Sequence, residues 1–235
     1  MDARHDRQKL LRRLIAASAM LMAATAGSRA EPLKVIELFT SQGCSSCPPA
    51  NANLVKLRDR PGLLALSFGV TYWDYLGWKD SFAKPEFTAR QRVYEPQLRR
   101  SGPFTPQMVV NGAADTIGNR LDDIEALLAD SGDAKGPILV LDDGRISIGA
   151  ARSAASAADI WLIRYRPGVV EVPVARGENR GHTLTHANVV TELTHIGKWS
   201  GQPEELAFSR ADPGLRTAVL VQVPQGGPIL SAVTD

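Results

Sequence analysis

Apolar residues in the first half of the chain form two short continuous runs, at residues 34–40 and 63–68. Between these runs, residues 49–59 carry Leu54 and Leu57 at helical spacing. Continuous apolar runs of this length are typical of strands that are buried on both faces. The pattern therefore predicts two parallel strands that are joined by a crossover helix.

Four more elements are predicted before residue 130. They are a helix over residues 85–94, a strand over 107–110, a strand over 113–117 and a helix over 121–129. Asn111-Gly112 is a strong two-residue hairpin signal, so the strands on either side of it should pair antiparallel. Asn119 is placed to cap the last helix. The predicted order of elements is β-α-β-α-β-β-α.

The pattern changes after a polar, glycine-containing stretch at residues 131–137, which we interpret as a linker. Beyond it, short apolar runs alternate with turn residues, and three hairpins are predicted. Their turns lie at residues 142–144, 166–168 and 225–227. Short strands at this spacing favour a small β-sandwich. The sequence therefore predicts an α/β domain over residues 31–135 and a mainly β, sandwich-like domain over residues 136–235.

The first 30 residues have the three parts of a secretory signal peptide. A positively charged start is followed by an alanine-rich apolar stretch at residues 14–27 and by Ser28-Arg29-Ala30, which suits a leader peptidase. We interpret residues 1–30 as a cleaved leader in preference to a basic tail, so the mature chain would start near Glu31. The protein is then periplasmic or secreted, and no run long enough to span a membrane remains.

Removal of the leader changes the charge of the protein. The leader holds six of the 27 basic and two of the 25 acidic residues, so the rest of the chain has a formal charge of −2. It lacks the clustered positive charge of a nucleic-acid-binding surface. Disulfides persist in exported proteins, yet the chain has only two cysteines and therefore no framework of disulfide bridges.

These cysteines, Cys44 and Cys47, lie between the first predicted strand and the first predicted helix. The positively polarised start of a helix favours a thiolate, which is the species that attacks a disulfide. Pro48 and Pro49 are tolerated only in the first helical turn, so the helix should begin close to Ser46. Cys44 would then be exposed and would attack, whereas Cys47 would be shielded and would resolve the mixed disulfide.

Two other roles of the cysteine pair compete with redox chemistry. A structural disulfide would close too small a loop to stabilise the fold much. Two thiolates suit Cu(I) or another soft cation, although a closed zinc site needs about four ligands. His182, His186 and His195 could add ligands, but histidines that are exposed or hydrogen-bonded are more common.

A second motif, Thr105-Pro106, lies directly before the third predicted strand. The run from Phe39 to Cys47 resembles the active-site run of glutaredoxins, and Thr105-Pro106 resembles the cis-proline loop of the same thioredoxin superfamily. This resemblance covers residues 33–130. It implies that Pro106 is cis and packs against the cysteines, and that the Thr105 backbone pairs with an extended substrate.

The leader, both motifs, an aromatic stretch at residues 72–78 and the β-rich tail together resemble a secreted thioredoxin-like family of unknown function. That resemblance supplies a fold but no activity. Ser41 stands where glutaredoxins usually carry a lysine, which counts against glutathione binding. Glu37 lies near the position at which thioredoxins bury a proton-shuttling acid, so it is a further candidate.

Two other segments have roles that the sequence leaves open. Residues 72–78 hold two of the four tryptophans and two of the four tyrosines, and burial over the sheet edge is favoured over a peptide-binding wall. Asp74 within them would be a local hydrogen-bond anchor. Residues 176–181 are typical of a polar turn, which could instead dock on the first domain or on a partner.

We therefore expect an exported thiol–disulfide oxidoreductase whose site residues are Cys44, Cys47, Thr105 and Pro106. Its substrates and partners would be protein or small-molecule thiols and disulfides, with a redox partner protein among them. It would need no cofactor, because electrons pass between sulfurs. The alternative is a periplasmic protein that binds a soft metal of the Cu(I) type, or a partner, without turnover.

Overall fold

The structure, a computed structural model, describes residues 33–132, 136–142, 144–151 and 157–235. The predicted leader, its cleavage site and part of the predicted linker lie outside the described residues. The described chain is a mixed α/β protein with a large mixed sheet and few helices. Within this part, no helix combines the length and the apolar character that crossing a membrane requires.

The described residues form eleven strands and three α-helices. The strands are β1 (Lys34–Thr40), β2 (Leu63–Gly69), β3 (Gln107–Val110), β4 (Ala114–Thr116), β5 (Leu139–Asp142), β6 (Arg145–Ile148), β7 (Ala158–Pro173), β8 (Thr183–Trp199), β9 (Glu204–Ala207), β10 (Arg216–Gln222) and β11 (Ile229–Thr234). The helices are α1 (Pro48–Leu57), α2 (Pro85–Val93) and α3 (Leu121–Asp130), with a short 3-10 helix at Asp74–Leu76. The order of elements predicted as far as residue 130 is confirmed.

Eight strands form one sheet in the order β11-β10-β7-β8-β2-β1-β3-β4. β1 runs parallel to β2, and β2 runs parallel to β8, where Ser67 pairs with Val189. β3 and β4 follow β1 as antiparallel neighbours. Because β8 pairs with β2, strands from both sides of the predicted boundary near residue 135 share one continuous sheet.

β1 is buried on both faces, and its alternating side chains belong to two different parts of the core. Val35 and Phe39 lie in a cluster with Phe87 of α2. Ile36 and Leu38 lie in a second cluster, to which α1 and α3 contribute. Because successive side chains of a strand point to opposite faces, the continuous apolar run of β1 allows helices to cover both. The loop that follows β1 is therefore anchored in the centre of the core.

The small sheet, in the order β5-β6-β9, packs against the C-terminal strands of the large sheet. Ile146 and Ile148 of β6 share a cluster with Ile160 of β7 and Val219 of β10. Two sheets therefore lie face to face here, as in a sandwich. However, the larger of them continues into the N-terminal half, so the sandwich-like part shares this sheet with the first half of the chain.

Two local predictions are wrong. The hairpin turn predicted at residues 166–168 is instead an irregularity within β7, which continues past it along β8. Gly168 has a φ of +82°, and its N–H donates to Asn188 Oδ1, so these residues form a bulge opposite a strand that does not turn. At the start of α3, Arg120 and not Asn119 occupies the N-cap, without a side-chain cap.

Candidate functional site

Cys44 and Cys47 form a disulfide at the junction of β1 and α1. The Cys44 N–H donates to Ser41 O at 3.1 Å and closes the turn that follows β1. Cys47 is the N-cap residue of α1, and its carbonyl accepts the first helical hydrogen bond, from Asn51 N–H at 3.1 Å. Pro48 begins the helix within two residues of the predicted start, at a position where its missing N–H leaves no hydrogen bond unmade.

The exposure of the first sulfur contradicts the prediction. Cys44 was expected to be exposed, but Cys44 and Cys47 are both 0% exposed, while Ser45 and Ser46 between them are exposed. The start of the helix alone does not decide whether a cysteine is exposed. Segments that are distant in sequence pack around the loop, and their packing decides the exposure of the sulfurs.

The first of these segments is the Thr105-Pro106 loop. The Thr105–Pro106 peptide bond is cis, as the resemblance implied. Ser46 Oγ–H donates to Thr105 O at 3.5 Å, and the same Oγ lies 3.4 Å from Cys44 Sγ. The four residues predicted for the site are therefore close together, with the Ser46 hydroxyl between the two loops.

The aromatic stretch predicted at residues 72–78 packs against both loops. Trp73 Nε1–H donates to Thr105 Oγ1 at 2.7 Å. A Cβ on Gly43 would lie 3.2 Å from the Trp73 Cβ, so glycine at this position leaves room for the tryptophan. Tyr72 and Trp73 are partly buried against the core, as favoured for the stretch, but Tyr75 is 79% exposed. Trp73 also forms one side of the cysteine site.

Gln42, two residues before Cys44, is held by the loop that follows the aromatic stretch. Its N–H donates to Asp80 Oδ2 at 2.7 Å, and its side-chain oxygen accepts from Trp78 Nε1–H at 2.9 Å. Burial raises the pKa of the Asp80 carboxyl above its ordinary value, although the hydrogen bond from Gln42 opposes this shift. Asp74 anchors the loop, as expected, by accepting from Asp80 N–H at 3.1 Å.

Residues 176–181, which we call the hairpin tip, connect β7 to β8 and dock on the cysteine loop. The buried side chain of Asn179 donates through Nδ2 to Gln42 O and to Cys44 O, both at 2.9 Å. Of the two roles left open for this segment, the structure therefore shows docking on the first half of the chain. Asn179 fixes the backbone on both sides of Gly43.

Glu178 makes the second contact of the hairpin tip. Its Oε2 accepts from Ser45 N–H at 3.1 Å and from Ser45 Oγ–H at 2.7 Å. These hydrogen bonds hold the pKa of the Glu178 carboxyl below its ordinary value, so the group is ionised at neutral pH. Neither Glu178 nor Asn179 was singled out individually, since more than 130 residues separate them from the cysteine loop in sequence.

Glu37 lies in a separate buried cluster. Its Oε1 accepts from Arg90 Nε at 2.5 Å, and its Oε2 accepts from the hydroxyl of Tyr94. Along β1, Glu37 alternates with Ile36 and Leu38, so it lies on the face opposite α1. The structure therefore pairs Glu37 with a cation on the α2 side and does not place it beside the disulfide.

The three downstream histidines do not converge. His195 Nε2 lies 3.1 Å from Asp159 Oδ1, while the His186 ring is buried and packs edge-on against Phe82. Among the described residues, no group of three or more His, Cys, Asp and Glu side chains could hold a metal ion. The soft-metal alternative therefore rests on the two sulfurs of Cys44 and Cys47 alone.

A family model described as a protein of unknown function (DUF1223) matches residues 35–222. The chain belongs to this family. The matched residues include the cysteine loop, the Thr105-Pro106 loop and the hairpin tip. All the parts of the candidate site therefore lie within the region that matches DUF1223.

Two solved structures are similar over most of the chain. Protein AGR_C_4864 from Agrobacterium tumefaciens is 30% identical and superposes with a TM-score of 0.72, covering 87% of this chain and 94% of that one. HBP35 of Porphyromonas gingivalis is 13% identical with a TM-score of 0.60, covering 87% of this chain and 75% of that one. At 13% identity, the second likeness shows the fold alone.

One curated relative is similar to a smaller part of the chain. The shikimate dehydrogenase (NADP(+)) of Acidiphilium cryptum (strain JF-5) is 34% identical over 114 residues, which is 42% of this chain. The match spans only 39% of that protein's length. This partial likeness carries no activity over to the DUF1223 chain.

Proposed function

We propose that this protein is an exported thiol–disulfide oxidoreductase with a thioredoxin-like fold. The observation that carries the proposal is the Cys44–Cys47 disulfide at the start of α1, with the Thr105-Pro106 loop beside it. The strand order β2-β1-β3-β4, with α1 and α3 on one face and α2 on the other, supports the thioredoxin-like assignment.

In the proposed reaction, the thiolate of reduced Cys44 attacks a substrate disulfide and releases one substrate thiolate, so that a mixed disulfide forms. Cys47 then attacks Cys44 Sγ, which releases the second substrate thiolate and leaves the Cys44–Cys47 disulfide. Two electrons pass to the substrate, whose sulfurs take up two protons. The reverse sequence oxidises a substrate dithiol, and the reduction potential of the pair decides the direction.

A substrate must displace part of the packed loops, because both sulfurs are buried in the oxidised protein. We place its approach at Ser46 and Thr105. Ser46 is exposed, and its 3.5 Å hydrogen bond to Thr105 O is long, so little is lost when the two loops separate. The backbone of Thr105 would then be free to pair with an extended segment around the substrate disulfide.

The proposed substrates are protein or small-molecule thiols and disulfides, with a redox partner protein that restores the starting state. We place the reaction in the periplasm or outside the cell, where disulfides persist. Because the chemistry uses only sulfur atoms, the proposal requires no cofactor. Cys44, Cys47, Thr105 and Pro106 are its site residues.

Two cysteine variants test this function. Reduced wild-type protein should cleave a fluorescent disulfide peptide, and Cys44→Ser should lower the rate to that of the peptide without protein. Cys47→Ser should accumulate a mixed disulfide with the peptide, because Cys44 can attack but nothing resolves the product. Fluorescence gives the rate, and a non-reducing gel with mass spectrometry identifies the adduct and its cysteine.

The two variants control for each other, since each lacks the disulfide and only one lacks the attacking thiol. Equal rates in wild type and Cys44→Ser would refute the proposed exchange. An adduct on Cys47 in the Cys44→Ser protein, at the rate seen in Cys47→Ser, would refute the assigned roles of the two cysteines.

A further inference from the structure

The hairpin tip brings an ionised carboxylate to the residue directly after Cys44. Glu178 Oε2 occupies the Ser45 N–H at 3.1 Å and the Ser45 hydroxyl at 2.7 Å. Asn179 holds the tip in place through its hydrogen bonds to the carbonyls of Gln42 and Cys44. Thus two adjacent side chains of the tip contact three residues of one loop, Gln42, Cys44 and Ser45, which makes the contact specific.

Backbone N–H groups and positive charge near a cysteine stabilise its thiolate, whereas a carboxylate destabilises it. Glu178 occupies the N–H of Ser45, the residue directly after Cys44, and so holds a negative charge at the neighbouring position of the chain. The disulfide form of Cys44 carries no charge and is not affected in this way. A carboxylate at this place therefore disfavours the reduced, ionised state relative to the disulfide.

We infer that Glu178 is a positioning residue that, through Ser45, lowers the thiolate character of reduced Cys44 and so makes the Cys44–Cys47 disulfide harder to reduce. This inference rests on the proposed function and adds to it a determinant of the reactivity of the site. Asn179 acts with Glu178, because it fixes the hairpin tip on the cysteine loop.

The test measures the acidity of Cys44 in a Cys47→Ser background, where only one thiol is present. The rate of alkylation by iodoacetamide is recorded between pH 4 and 10, with Glu178 or with Glu178→Gln. Glutamine keeps the size of the side chain and an oxygen that can accept from Ser45, so this change isolates the charge. Glu171→Gln is the matched control, because Glu171 is an exposed carboxylate on the same hairpin.

In Glu178→Gln, the alkylation rate at low pH should rise about three- to tenfold, as the pKa of Cys44 falls by about half to one unit. The expected shift in the pKa of Cys44 is small for the effect of a nearby charge, because Glu178 is exposed and water screens its charge. Asn179→Ala should shift the profile in the same direction, since it releases the hairpin tip. Glu171→Gln should leave the profile unchanged.

An unchanged or raised pKa of Cys44 in Glu178→Gln overturns the inference. So does an equal shift in Glu171→Gln, which would indicate a general charge effect. With both cysteines present, the Glu178→Gln protein should also hold less disulfide than wild type in the same glutathione buffer. Alkylation reports on Cys44 even in a protein that exchanges with no substrate, so failure of the proposed function is distinguished from failure of this inference.

Discussion

Replacing Arg90 with methionine lowers the free energy of unfolding by about 3–5 kcal/mol, because it leaves the Glu37 carboxylate buried without its cation. Glu37 is 0% exposed, and its side chain pairs with Arg90 Nε at 2.5 Å. Arg90 Nη2 also donates to Tyr94 OH at 3.1 Å and to Gln222 Oε1 at 3.2 Å, so three polar groups lose a partner at once. Urea denaturation at pH 7.5 measures the loss.

A second variant separates the buried charge from lost packing. Combining Arg90→Met with Glu37→Gln removes both charges, and the double variant should regain part of the stability that Arg90→Met alone loses. Arg60→Met is the surface control, because Arg60 pairs with Glu125 where both side chains are more than 40% exposed. Arg60→Met should lower the free energy of unfolding by less than about 1 kcal/mol. If Arg90→Met also lowered the free energy of unfolding by less than about 1 kcal/mol, Arg90 would not be the partner of a buried Glu37 charge.

Replacing His186 with leucine makes the fold less sensitive to acid, because it removes a buried group that must stay neutral in the folded protein. His186 is buried, neither ring nitrogen has a hydrogen-bond partner in the described part of the chain, and burial lowers its pKa to about 4. The unfolded chain binds the proton near pH 6.5, so acid favours unfolding. In the wild type this effect is absent well above pH 6.5. It lowers the free energy of unfolding by about 2 kcal/mol at pH 5 and by about 3 kcal/mol below pH 4.

Urea denaturation of both proteins at pH 7.5 and pH 5 measures this effect. The difference in unfolding free energy between the two pH values should be about 2 kcal/mol smaller in His186→Leu than in the wild type. Other groups titrate equally in both proteins and cancel in the comparison. His182→Leu is the control, because His182 is exposed. Identical pH dependence in wild type and His186→Leu would show that His186 does not stay neutral in the folded protein.

The elements near the cysteines could be predicted because their signals are local. The continuous apolar run of β1 and the prolines at the start of α1 each act over a few neighbouring residues, and both elements formed as expected. The Thr105-Pro106 motif also led correctly to a cis bond next to the cysteine loop. In contrast, Pro167-Gly168 by itself predicts a turn, and only the strand opposite makes residues 166–168 an irregularity within β7.

The partners of the polar side chains could not be predicted in the same way. Glu37 was a candidate proton shuttle because of its distance along the chain from Cys44, but the residue that reaches it, Arg90, comes from a helix 53 residues further on. The contact between Glu178 and Ser45 spans 133 residues. Such pairs depend on which faces of distant elements meet, and hydrophobic periodicity does not record that.

The sequence by itself determined that two cysteines follow a buried strand and precede a helix, with a Thr-Pro loop before a third strand. These features follow from apolar periodicity and from the backbone restrictions of proline, both of which act within a few residues. Only the tertiary structure decided that Cys44 is buried and that the hairpin tip lies on its loop. The reason is that β8 pairs with β2. This pairing adds the β7–β8 hairpin to the sheet that contains β1, and the tip of the hairpin, with Glu178 and Asn179, then lies on the loop that follows β1.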